Sequence, residues 1–143
     1  MIRAVVDVNV LVSGFSAKRG VPAEVLAAWA ASEFEFIISE HILNGAIDTW
    51  SKPYFQARFM PDEVQEAIAQ LRAGATFVTP VDTVHGVADD EEDDLVLATA
   101  VAGGVTYLVT GDFGLQRVGR YGDILILSPR DFLDVLAAER GRE

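Results

Sequence analysis

The 143-residue sequence contains no cysteine. This absence excludes a disulfide framework, a zinc–thiolate site and a cysteine nucleophile, and it fits a reducing compartment. No apolar run reaches the roughly 18 residues that a membrane-spanning helix needs. The first residues do not have the pattern of a signal peptide, because Asp7 and Asn9 interrupt a short apolar stretch. We therefore expect a cytoplasmic protein without a membrane segment.

Basic residues are scarce. Eleven Lys and Arg residues stand against 22 Asp and Glu residues, and the formal net charge is −11. Proteins that bind duplex DNA by neutralising its phosphates usually have the opposite balance. Six consecutive acids at positions 89–94 account for part of the excess. Such a run is compatible with a solvated loop, and also with carboxylates that hold a divalent cation.

Motifs of several common enzyme classes are also absent. The sequence has no Gly-x-Ser-x-Gly nucleophile turn and no Gly-Lys-Ser/Thr phosphate loop. Its two histidines, His41 and His85, are isolated, and we expect surface or structural roles for them rather than metal ligation.

What is present is an alternation of short apolar runs with amphipathic segments. Strand-like runs occur at 2–6, 34–38, 107–109 and 124–127, with a weaker candidate at 77–78, and helical spacing separates most of them. We expect a loop after the first strand, and N-caps at Ser39 and Ser128. Strands separated by helices predict a single α/β domain over 1–143, a three-layer α/β/α sandwich with a parallel sheet of four or five strands.

Three carboxylates could meet at one edge of this sheet, because ligands of open parallel sheets bind beyond the carboxyl ends of the strands. Asp7 ends the first strand, Asp112 follows the third clear strand, and Asp94 starts the helix between them. Singly, each has an ordinary explanation as a turn residue or a helix N-terminal acid. Together they would repel one another, so a bound divalent cation such as Mg²⁺ explains them better.

These segments resemble the PIN domain family. VVDVNVLVSGF is similar to the family's first strand and Asp-x-Asn motif, and DDLVLATAVAGGVTYLVTGD to its acidic helix and the strand ending in Thr-Gly-Asp. The closing YGDILILSPRDFL is similar to one bacterial branch, the toxins of toxin–antitoxin pairs. The resemblance implies a VapC-like ribonuclease with an acidic Mg²⁺ or Mn²⁺ site, a cognate antitoxin and frequent homodimers.

The resemblance also implies roles for particular residues. Asp7, Asp94 and Asp112 match the family's catalytic and metal-binding acids. The residues that match supporting positions are Asn9, Asp90 and Asp93.

The sequence departs from the family at two places. Val8 replaces the usual Thr, and the second helix has Asn44-Gly45 where the family typically presents a Glu. Glu40, one turn earlier, is a candidate substitute, whereas we expect Asp48 to point away from the site because it lies off the apolar stripe.

Three functions remain open. The first is an endoribonuclease that cleaves RNA with metal-activated water, for which the candidate phosphate contacts are Arg3, Lys18, Arg19, Lys52, Arg58, Arg117 and Arg120. The second, motivated by the missing Glu, is a catalytically degenerate module that binds RNA or an antitoxin. The third is a haloacid-dehalogenase-type phosphohydrolase, although Asn9 replaces that family's second Asp. For self-association, we expect an apolar patch of Trp50, Tyr54, Phe55 and Phe59.

Overall fold

Helices connect the strands of one sheet in the computed structural model, which describes residues 1–142. In chain order, the elements are β1 (Arg3–Val6), α1 (Val8–Ser16), α2 (Val21–Ala30), β2 (Glu35–Ile38), α3 (Glu40–Trp50), α4 (Pro53–Gln56), α5 (Pro61–Gly74), β3 (Thr76–Phe77), α6 (Glu91–Gly103), β4 (Tyr107–Val109), α7 (Phe113–Val118), β5 (Arg120–Tyr121), β6 (Ile124–Leu127) and α8 (Pro129–Arg140). None of these helices is long and apolar enough to cross a membrane.

The sheet has the strand order β3-β2-β1-β4-β6-β5, and all neighbouring strands are parallel except β5 and β6. The predicted parallel α/β sheet is thus confirmed, with five parallel strands. The short antiparallel β5 was not predicted. It forms because Tyr121 pairs with Ile124 across a two-residue turn, in which Gly122 has a φ of 60°, a conformation that glycine adopts without strain.

Both faces of the sheet are covered by helices. Successive residues of a strand point to opposite faces. On β2, the Phe36 ring lies 5.0 Å from the Trp29 ring of α2. The next residue, Ile37, lies against Gly103 of α6, where an added Cβ would come within 2.5 Å of its side chain. The helices therefore form two layers around the sheet, as the sequence predicts.

The segment after β1 is a helix, α1, where we expected a loop. Its β-branched valines favour strands, but the local contacts outweigh that preference. The Asp7 carboxylate accepts a hydrogen bond from the first helical N–H, of Val8, at 2.7 Å. Further along, Gly14 allows α1 to lie directly on α2, because a Cβ at Gly14 would fall 2.3 Å from the side chain of Leu26.

The predicted helix starts are largely confirmed. The Ser39 and Ser128 hydroxyls cap α3 and α8 by accepting backbone N–H groups. Helix α6 begins three residues before Asp94, at Glu91, because Asp90 provides the N-cap and accepts the N–H of Glu92 at 2.9 Å.

The four aromatic residues expected to form a self-association patch do not form one. Trp50 and Phe59 are 2% and 6% exposed, and their rings pack 5.5 Å apart in the core. Phe55 is partly buried, and Tyr54 is the one exposed member. The prediction of this patch was wrong, because most of its aromatic side chains pack into the core. Dimer formation itself stays a prediction.

Candidate functional site

An acidic cavity of about 550 Å³ opens beyond the carboxyl ends of β1 and β4. It lies where parallel-sheet proteins usually place their ligands. Its lining residues are Asp7, Val8, Asn9, His41, Asn44, Gly45, Asp48, Thr49, Lys52, Asp90, Glu92, Asp93, Val96 and Asp112. We call Asp7, Asp93 and Asp112 the strand wall of this cavity, and the lining residues between His41 and Lys52 the helix wall.

A buried threonine connects two acids of the strand wall. Asp7 directly follows β1, and Thr110 directly follows β4. The Thr110 hydroxyl donates to Asp7 Oδ2 at 2.8 Å and accepts the backbone N–H of Asp112 at 3.0 Å. Gln116 in turn donates to the Thr110 carbonyl at 2.7 Å. Neither Thr110 nor Gln116 was predicted as a site residue from the sequence, although Thr110 belongs to the Thr-Gly-Asp motif.

Asp7 is a buried acid, with only 5% of its surface exposed. Burial raises the pKa of Asp7 above its ordinary value, and the charge of Asp112 raises it further. The hydrogen bonds from Thr110 and the Val8 N–H, together with the nearby His41, oppose this rise in pKa. Asp7 is thus an incompletely compensated carboxylate at the base of the cavity.

Asp93 is the third acid of the strand wall. Partial burial, followed by the charges of Asp7 and Asp112, raises the pKa of Asp93 to about 6. The nearby Asp90 and Glu92 add smaller contributions to this pKa in the same direction. The structure therefore brings together three acids from three separate chain segments, and their charges act on one another across the cavity.

Asp94 does not line the cavity, although the resemblance assigned the helix acid to this position. Its carboxylate is buried and accepts the backbone N–H groups of Gly86, Val87 and Ala88 at 2.8, 3.1 and 2.8 Å. These bonds direct Asp94 into the loop that precedes α6. Successive residues of a helix point about 100° apart, so Asp93 faces the cavity when Asp94 faces the loop. The structure therefore has Asp93, and not Asp94, on the lining of the cavity.

The helix wall also differs from expectation. Glu40 does not reach the cavity, because it pairs with Arg72 of α5 on the protein surface. The bond from Arg72 holds the pKa of Glu40 below its ordinary value. Asp48, which we expected to point away, lines the cavity together with Asn44. The expectation was wrong because the cavity borders the polar flank of α3, next to its apolar stripe.

Gly45 lies on the helix wall, at the place where the sequence lacks the expected Glu. A Cβ at Gly45 would lie 3.0 Å from Cγ2 of Val8, closer than most side-chain contacts. The two departures noted in the sequence, at Val8 and Gly45, are therefore in contact with each other. Of the predicted supporting residues, the cavity includes Asn9, Asp90 and Asp93 and excludes Glu40.

The donor set of the cavity is suited to a hydrated hard cation. Within residues 1–142, no three His, Asp or Glu side chains are already arranged as a metal site. Mg²⁺, however, commonly takes only one or two protein carboxylates and keeps several waters. Burial, and after it the neighbouring acids, raises the pKa values of Asp7 and Asp93, and a divalent cation in the cavity would offset both effects.

Comparisons with known proteins agree with this architecture. The sequence profile of the family described as PIN domain matches residues 3–114. A chain of the crystal structure of VapBC2 from Rickettsia felis, bound to a DNA fragment from their promoter, superimposes with a TM-score of 0.58. The two chains are 13% identical, and the match covers 89% of this chain and 98% of that one. No curated protein matches the sequence.

Proposed function

Because the chain belongs to the PIN domain family, we propose that it is a metal-dependent endoribonuclease of the toxin type. The observation that supports this proposal is the strand wall, where Asp7, Asp93 and Asp112 converge from three chain segments and the pKa values of Asp7 and Asp93 are raised. Family membership does not support the haloacid-dehalogenase alternative.

In this proposal, Asp7, Asp93 and Asp112 hold Mg²⁺ or Mn²⁺. The cation would lower the pKa of a water and offset the negative charge of a phosphodiester. Thr110 keeps Asp7 in place by donating to its Oδ2, so one oxygen is fixed before any ligand arrives. Asn9 and Asp90 line the same cavity and would orient waters around the cation.

The helix wall provides the basic side chain that would contact the substrate. Lys52 is the one lysine or arginine that lines the cavity within residues 1–142, and it would contact a phosphate of the bound strand. Other basic candidates have partners elsewhere. Arg3 pairs with Glu35 and with the Gly103 carbonyl, and Arg117 pairs with Asp89. Because the cavity lining offers a single basic side chain, the cation would provide most of the contact with phosphate.

The proposed partners follow from the family and the structural neighbour. The structural neighbour, VapBC2 from Rickettsia felis, was solved bound to a DNA fragment from their promoter. By analogy, we assign a cognate antitoxin to this chain, together with homodimer formation and a cytoplasmic location.

The test replaces acids of the strand wall, and one acid remote from the cavity, with the uncharged Asn. Wild-type protein should cleave a labelled RNA only with Mg²⁺ or Mn²⁺ present. Asp93→Asn and Asp112→Asn should lower that rate at least about 100-fold and weaken Mn²⁺ binding in calorimetry, since each removes a charged ligand. Asp134→Asn, an exposed acid on α8, is the matched control and should change neither.

A second candidate function is a catalytically degenerate module that binds RNA or an antitoxin. The lack of room at Gly45 favours it: a Cβ there would lie 3.0 Å from Cγ2 of Val8, so a carboxylate side chain at this position would require Val8 to shift. Three results together would establish this module in place of the nuclease. The protein would bind RNA without metal, would not cleave RNA in the presence of any metal, and would bind RNA equally well as the Asp93→Asn variant.

A further inference from the structure

Nearly all aromatic side chains of this protein are buried or partly buried. The sequence has eight Phe, three Tyr and two Trp residues, all within the described residues. Only Phe113 and Tyr54 are extensively exposed, at 77% and 61%. Exposing a large aromatic side chain forgoes the free energy that its burial would contribute.

Both exposed aromatics are next to residues of the acidic cavity. Phe113 directly follows Asp112, and Tyr54 is two residues from Lys52, within about 7 Å of backbone. The strand order β2-β1-β4 places Asp7 between α3, which follows β2, and Asp112, which follows β4. Along the chain, Phe113 therefore follows the β4 side of the cavity and Tyr54 follows the far end of the helix wall, while the cavity lining itself ends at Asp112 and Lys52.

Positive charge accompanies Tyr54. The Arg58 guanidinium lies 3.8 Å from the centre of the Tyr54 ring and donates to the Tyr54 carbonyl at 2.8 Å. Lys52 makes no ion pair with any of the residues described, so its ammonium group is available to a ligand. Arg58 is thus engaged with Tyr54 on one side, which leaves the other face of the ring and the Lys52 ammonium group for a ligand. Proteins bind single-stranded nucleic acids with such exposed rings and cations: the rings stack on bases and the cations contact phosphates.

We propose that Phe113 and Tyr54 are the residues that stack on unpaired bases of an RNA strand bound at the acidic cavity. This inference rests on the proposed nuclease function and extends it to the residues that recognise the strand. In a duplex, the base faces are covered by neighbouring base pairs, so neither ring could stack without unpairing the strand. A protein partner that covers the same rings is the alternative that the experiment must exclude.

The experiment measures binding by fluorescence anisotropy in Ca²⁺, which takes the same oxygen ligands as Mg²⁺. The ligands are a fluorescein-labelled 12-nucleotide oligoadenylate, the same oligoadenylate paired with oligouridylate, and an abasic ribose-phosphate strand of equal length. Phe113→Ala and Tyr54→Ala should each weaken binding of the oligoadenylate about 5-fold or more. Neither should alter binding of the abasic strand or the duplex, because these ligands offer no free base to stack on.

Conservative and control variants distinguish stacking from a general surface effect. Phe113→Tyr and Tyr54→Phe retain an aromatic face and should bind the oligoadenylate like the wild type. Met60→Ala removes an apolar side chain that is 58% exposed at the start of α5, and it should have no effect. Melting temperatures of all variants should equal that of the wild type, because exposed side chains contribute little to the core.

The outcomes separate this inference from the function on which it rests. If the wild type binds and cleaves RNA while both alanine variants bind it unchanged, the stacking roles are wrong and the nuclease proposal stands. If the alanine variants alter only sedimentation, the rings form a protein interface, and the inference is overturned. If the wild type neither binds nor cleaves any of these strands, both proposals fail.

Discussion

The two walls of the acidic cavity are built in different ways. The strand wall is a hydrogen-bonded framework: Thr110 links Asp7 to the Asp112 backbone, and Asp94 holds the loop before α6 against the helix that presents Asp93. On the helix wall, by contrast, the side chains of three lining residues make no hydrogen bond to any described residue; they are His41, Asn44 and Asp48. Hydrogen bonds thus fix the carboxylates of Asp7 and Asp112 before a ligand binds, whereas the three helix-wall side chains are free to adapt to one.

The strongest test of this difference is the loss of the Asp94 carboxylate. Asp94→Ala leaves three backbone N–H groups without their acceptor, and hydrogen bonds to charged groups contribute about 1.5–3 kcal/mol each. We expect a loss of at least about 3 kcal/mol in the free energy of unfolding, seen as a fall in Tm of roughly 10 °C. Asp93→Ala is the neighbouring control and should not destabilise the metal-free protein. Equal losses in the two variants would contradict the separation of their roles.

The second test removes the link between β1 and β4. Thr110→Val keeps the shape of the side chain but removes a buried hydroxyl that serves both Asp7 and the Asp112 N–H. We expect a loss of about 1–3 kcal/mol in urea unfolding, because one buried N–H loses its acceptor. Without this donor the pKa of Asp7 should rise further, which carboxyl NMR titration would detect. Thr110→Ser, which keeps the hydroxyl, should restore that pKa.

The sequence predicted more about the strand wall than about the helix wall. Asp7 and Asp112 follow strands, and strand ends are predictable from apolar runs and parallel topology. The position of Asp93 on the cavity, with Asp94 turned away from it, was not predictable from the sequence. A shift of one residue along a helix turns a side chain by about 100°, and the contact of Asp94 with loop 86–88 decides which acid faces the cavity.

The helix wall depends on contacts between distant segments, which periodicity does not contain. The Glu40–Arg72 pair joins two helices, so the position of Glu40 could not be derived from α3 alone. The same holds for α1. Its valine-rich sequence does not predict a helix, which is stabilised by the Asp7 cap and by the close packing of Gly14 on Leu26.

A third test concerns pH and the strand wall. The folded protein raises the pKa of Asp93 from 3.8 to about 6, so the folded state binds more protons than the unfolded state between these values. The contribution of Asp93 to the stability of the metal-free protein should therefore be fully present below this window and be lost as pH rises through it. Because Asp93 is partly exposed, we expect an effect of only about 1 kcal/mol. Asp93→Asn should flatten this part of the stability profile and raise Tm at pH 7, whereas Asp134→Asn should leave the slope unchanged.

The smallest expected effect lies on the helix wall, at Gly45. Glycine inside a helix costs roughly 0.5–1 kcal/mol relative to alanine, so Gly45→Ala would normally stabilise α3. Here the new Cβ would meet Cγ2 of Val8 at 3.0 Å, and we expect the gain to be cancelled by this contact. In a Val8→Ala background the obstruction is gone, and Gly45→Ala should then stabilise the protein by about 0.5–1 kcal/mol. A double-mutant cycle in urea measures this coupling directly, and additive effects would show that Val8 does not restrict position 45.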